Sequence, residues 1–153
     1  MGISPAQLIV ILSASIAPVI MISGVGLLLL SMTNRYSRVI DRARDLVQSL
    51  DAVEEPDRPE VLLEELKVTY RRARILRLAI ILSSLSILFV AITVLSLFAE
   101  QVLGVGVDYF SVACFGVALL SLLGALYLFI RDVGVSLKAL ELEIGPHIKV
   151  GKN

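Results

Sequence analysis

Charged residues are confined to a few stretches of this chain, and what lies between them is almost wholly apolar. No charge precedes Arg35, and Leu8 to Met32 is a run of 25 mainly apolar residues. Two further uncharged runs, Leu78 to Ala99 and Tyr109 to Ile130, are each 22 residues long. A helix needs roughly 20 apolar residues to cross the hydrocarbon core of a bilayer. The pattern therefore predicts three transmembrane helices, at about 8–32, 78–99 and 109–130.

The helical pattern runs beyond the spans. Ser4-Pro5-Ala6-Gln7 has the form of a capping box with proline at the first helical position, so the first helix starts near Ser4. After Met32, the positions Tyr36, Ile40, Ala43, Val47 and Leu50 recur at helical spacing and predict one continuous helix to about Leu50. Asp51 to Glu60, with Pro56, Pro59 and five acids, reads as a turn. Asp57 followed by Glu60 is the next start signal, and Leu62, Leu66, Thr69, Ala73 and Leu76 form a second seam that leads into the second span. That helix should stop near Gly104. Asp108 is the expected cap of the third helix, which continues as Val133, Leu137, Leu140 and Ile144 until Gly145-Pro146 ends it.

At 1.5 Å per residue the first two helices come to about 65–70 Å, against a hydrocarbon core of about 30 Å. The surplus is predicted to project as an antiparallel helical stalk over 33–77, with the third helix's extension beside it. Setting Met32 level with Leu76 places Asp41 against Lys67 and Arg44 against Glu64, both opposite charges.

Composition agrees with a membrane protein. The chain has 153 residues, 57% of them apolar and 18% charged, and these proportions exclude a soluble enzyme domain or a disordered chain. Its mean hydropathy is +0.88. A single cysteine, Cys114, excludes an internal disulfide and a Cys-based zinc site, and its apolar setting makes it a small buried hydrophobe. The first seven residues lack Lys and Arg, and the following run is too long for a signal-peptide core, so it reads as a retained helix.

Basic and acidic residues balance at 14 each, but their placement is one-sided. Ten basic residues lie between the first and second spans, and the other four, Arg131, Lys138, Lys149 and Lys152, follow the third. The positive-inside rule then puts the N-terminus outside and both the stalk and the C-terminal helix and tail (131–153) in the cytoplasm.

A family resemblance enters on these residues. Ala17-Pro18, then Asn34-Arg35, Arg38, Asp41-Arg42 and Arg44, together with Arg71-Arg72-Ala73-Arg74 and Arg131-Asp132 followed by Ser136-Leu137 and Ala139-Leu140, resemble the motifs of a family of small uncharacterised bacterial membrane proteins, a domain of unknown function. The resemblance covers nearly the whole chain. It implies a three-span protein of the bacterial inner membrane, and it carries over no catalytic or ligand residue.

The strongest chemical feature is an arginine belt: Arg35, Arg38, Arg71, Arg72, Arg74 and Arg77, with Arg131 nearby and only Asp132 close enough to compensate. Guanidinium groups bind phosphates in bidentate fashion. Topology determination and contact with anionic headgroups account for such a belt, at about 1 kcal/mol per basic residue. The absence of Lys from this layer leaves a share to a specific anion or lipid site.

No Asp, Glu, Lys, Arg or His lies inside a span, which argues against proton relays and charge-coupled transport. Ser13, Ala17, Gly24 and Ser31 fall on one side of the first span. Such a stripe either packs against another helix or lines a narrow pore. Pro18 removes a backbone donor in mid-span and is either a tolerated kink or a hinge. The acids of the Asp51–Glu60 turn match no EF-hand loop, and no P-loop, dinucleotide, zinc-protease or serine-hydrolase motif is present. The expectation is therefore a non-enzyme without cofactor or metal and without a nucleic-acid partner.

The chain is thus read as one all-α membrane domain, 1–153, with up-down-up topology and self-association. Two functions stay open. One is an oligomeric pore with the small face of the first helix toward its axis and the arginine belt at its cytoplasmic mouth. The other is a non-conducting scaffold or sensor whose stalk binds a cytoplasmic partner and whose belt holds anionic lipid.

Overall fold

The computed structural model describes residues 5–52, 60–104, 106 and 108–150, with the backbone alone at 5–8, 10–12, 14, 15, 101, 103 and 135–150. Three helices carry the described chain: α1 (Pro5–Asp51), α2 (Glu60–Leu103) and α3 (Asp108–Val150). All three are long and apolar enough to cross a membrane. The fold is all-α, as the hydropathy pattern predicts, and the chain is a membrane protein.

The ends of the helices follow local chemistry. Proline opens α1 at a position where a missing N–H costs nothing. Further along, α1 passes through Pro18 without a break in the helix. At the end of α2, Gly104 has φ of 66° and its N–H donates to the Glu100 carbonyl at 2.9 Å, a left-handed cap that a side chain would strain. One expected stop fails. Rather than ending at Gly145-Pro146, α3 runs to Val150. A proline removes one hydrogen bond and bends a helix, but neighbouring residues keep their own bonds and the helix can resume. The caps proposed at Ser4 and Asp57, and the acids Glu54 and Glu55, lie outside the described residues.

Packing is organised around α2, which lies against both other helices; α1 and α3 have little backbone contact with each other. Among the described side chains of α3, the buried ones are Ser111, Cys114, Ala118, Ser121, Ala125 and Asp132, spaced by threes and fours once half-buried Leu128 is included. On α2 the same rhythm runs Thr69, Ala73, Leu76, Ala79, Ser83, Ser86, Val90, Thr93, Ser96. A repeat of about 3.5 residues keeps a seam facing its partner along a left-handed crossing. Most of these side chains are small, which lets membrane helices approach closely. Among the described glycines, Gly124 is the one held close to a neighbouring helix: a Cβ there would lie 3.2 Å from Leu82 Cδ1.

The α1 seam is larger in residue size and one position off expectation. Val25, Met32 and Leu46 are buried at multiples of seven, with Leu50. Val47, expected inside, is 45% exposed. The predicted seam stepped from Ala43 to Val47, whereas a seven-residue repeat from Met32 lands on Leu46. Met32 packs with Ala79 and Ala125, and its sulfur accepts from Ser83 Oγ at 3.5 Å. The pairing of Arg42 with Glu65 lies within one residue of the expected register, yet neither expected charge pair forms among the described residues. Arg42 instead binds Glu65 at 2.6 Å, and Asp41 turns to Arg44 on its own helix at 3.7 Å. Both pairs are exposed and contribute about 0–1 kcal/mol each.

Candidate anion site at the arginine belt

The α3 seam that is small and neutral through the membrane ends on an acid. Asp132 sits one heptad beyond Ala125 and is 1% exposed. Burying a carboxylate is costly unless it is paired, and its partners come from both other helices. Arg35 Nη1 of α1 lies 3.6 Å from Oδ2, and Arg72 Nε of α2 donates to Oδ1 at 3.4 Å. The Arg35 guanidinium also stands 5.3 Å above the Phe129 ring, a cation–π contact from α3. One residue thus joins all three helices, directly above the core of Met32, Ala79 and Ala125.

These contacts divide the belt. Arg35, Arg38 and Arg72 line a recess of about 330 Å³ together with Val39 and Asp132. Arg74 and Arg77 line a different recess, of about 170 Å³, with Tyr36, Ile40, Tyr70 and Ala73. Arg71 and Arg131 are exposed. The sequence placed seven arginines in one layer; the structure brings three of them together. Asp132 was visible as the compensating acid, whereas Phe129 carried no signal because one aromatic in an apolar span looks like any other.

The small face of α1 lies elsewhere. Ser13, Ala17, Gly24 and Ser31 are all exposed, and a Cβ on Gly24 would meet nothing within 4 Å. Ser13 Oγ donates to its own helix, at the Ile9 carbonyl. Among the described residues nothing covers this stripe, and Arg38 continues it one heptad beyond Ser31. Most hydroxyls of the α2 span behave differently: Ser83, Ser86, Thr93 and Ser96 are buried, Ser96 and Ser111 share a hydrogen bond at 2.8 Å, and Ser84 alone is exposed. Pro18 lines an apolar recess of about 280 Å³ with Thr93, Leu97, Ser111, Val112 and Phe115. Cys114 is buried as a free thiol, as its setting predicted.

On the charged hairpin, an apolar groove of about 750 Å³ runs along Ile40, Ala43, Val47, Leu66 and Tyr70. At the other end of the bundle, the Glu100 carboxyl titrates above its ordinary value, chiefly through a hydrogen bond with Asp108, with desolvation and the repulsion of that carboxylate adding to it. That pair belongs to the link between α2 and α3, far along the chain from the belt.

A family model described as a protein of unknown function (DUF2721) matches residues 15–142. No curated protein and no solved structure matches the chain. The match spans most of the sequence, and the chain belongs to that family.

Proposed function

We propose that this member of the DUF2721 family self-associates through α1 into a channel-like assembly in the bacterial inner membrane. The observation that carries the reading is the unpacked face of Ser13, Ala17, Gly24 and Ser31, continued by Arg38. Small residues make close helix contacts on α2 and α3, yet those of α1 are spared. In an assembly they line or flank a central axis, and the arginines at its cytoplasmic mouth favour anions. The orientation follows from the one-sided placement of Lys and Arg. The test is native mass spectrometry of the purified protein followed by ion flux in liposomes. Four or more subunits, with flux abolished by Gly24→Leu, are expected. A monomer or dimer, or flux that Gly24→Leu leaves unchanged, overturns the reading.

A second reading is favoured by the hairpin groove, an apolar surface on an otherwise charged element. In it the protein is a non-conducting scaffold or sensor: the cytoplasmic hairpin binds a partner protein, and the arginine belt holds anionic lipid at the headgroup layer. Here Arg38→Glu reduces lipid retention with no ion current to alter, whereas in a pore it changes selectivity.

A further inference from the structure

The geometry points to a discrete phosphate-binding pocket formed by Arg35, Arg38 and Arg72 and oriented by Asp132, within the belt that the lipid-holding reading invokes and on which this inference rests. Among the described lining residues, three guanidinium groups and one carboxylate leave an excess of positive charge in a recess of about 330 Å³. Asp132 does not quench that charge. Its contacts at 3.4 and 3.6 Å are long beside the 2.6 Å of Arg42 and Glu65, and beside the roughly 2.8 Å of a tight charge-assisted bond. A carboxylate held that far back, and buried, orients the two guanidiniums from one side.

The remaining geometry has the same sense. Phe129 fixes Arg35 from the membrane side. Arg38 is exposed and forms no ion pair among the described residues, so its fork is available at the rim. Val39 lines the recess with an apolar side chain. A phosphate group, with several oxygens to share between planar forks, suits this set better than a carboxylate, which one arginine satisfies.

Position indicates where the phosphate comes from. Arg35 is the first charge after the first span, and Asp132 lies two residues beyond the third. The pocket therefore sits at headgroup depth, where phosphates of anionic lipids are concentrated. A free phosphate or a phosphate-bearing solute offers the same chemistry from the aqueous side. Arg74 and Arg77, which line a different recess, supply only general attraction to the surface.

The experiment uses the full-length protein purified from vesicles of phosphatidylglycerol and phosphatidylcholine, with bound lipid counted by native mass spectrometry. Wild type is expected to retain phosphatidylglycerol selectively. Arg38→Gln should lower that retention about fivefold or more, the loss of one basic contact at a headgroup. Arg38→Lys should restore only part of it, and Arg71→Gln, outside the pocket, should leave it unchanged. Displacement by millimolar inorganic phosphate supports the pocket and assigns it a soluble ligand; resistance to phosphate supports it and assigns a lipid. Equal losses in Arg38→Gln and Arg71→Gln overturn the pocket and leave the diffuse belt standing. No preference for phosphatidylglycerol and no phosphate binding overturns both. Because Arg38 is exposed and unpaired, its variants test binding rather than folding.

Discussion

Asp132 ties α3 to both other helices, because a buried carboxylate must be matched and its partners sit on different helices. Asp132→Asn removes the carboxylate that Arg35 and Arg72 share. The loss of charged hydrogen bonds should cost about 1.5–3 kcal/mol. That cost is measurable as a lower unfolding midpoint in detergent; an unchanged midpoint would mean that the apolar contacts alone hold the helices there. Its importance was legible in part. It is the one acid beside a layer of arginines, and charge counting finds it. That it closes the buried seam of α3 was not legible, since Ser111, Cys114, Ala118, Ser121 and Ala125 stand among equally uncharged neighbours. Hydropathy reports whether a residue is apolar; inside a span almost every residue is.

Among the elements, the number of helices and the end of α2 were readable because each has a chemical signature, an absence of charge and a glycine after α2, whereas the end of α3 was not, since that helix runs past Gly145-Pro146. Faces were harder. The seven-residue repeat of Met32 and Leu46 differs from the seam chosen through Val47 by a single position, a rotation of about 100° on a helix. The register of α1 on α2 depends on which side chains fit, and Met32 fits against Ala79 and Ala125. These observations separate two kinds of small residue. Ala125 has no exposed surface, so Ala125→Leu overpacks the seam and should cost about 1–3 kcal/mol. Gly24 faces open space within the chain, so Gly24→Leu should leave the unfolding midpoint of the isolated protomer unchanged. Comparable losses from both, in protein verified as monomeric, would show that α1 packs differently from the arrangement described here.

For the whole molecule, the up-down-up order follows from three spans joined by short and long polar links, but the central placement of α2 does not. Hydropathy is blind to which helix two others share. Orientation rests on the distribution of Lys and Arg and has a direct test. With Cys114 replaced by alanine, single cysteines at Ser49 and Gly106 should label differently with an impermeant thiol reagent in intact spheroplasts. Gly106 is expected to react and Ser49 to be protected; the reverse pattern inverts the topology and moves the phosphate pocket to the outer surface.

The central position of α2 also bears on how the protein is made. During synthesis, α1 and α2 enter the membrane before the ribosome has completed α3. Ser96 then has no Ser111 to share its hydrogen bond, and Arg35 and Arg72 have no Asp132 between them. At roughly 5–20 residues per second, that interval lasts a few seconds. For its duration the hairpin lacks the carboxylate that Arg35 and Arg72 share, and the Ser96 hydroxyl bonds only the Thr93 carbonyl of its own helix. The arrival of α3 supplies both partners at once, so the polar and the ionic contacts of the bundle are completed in a single step.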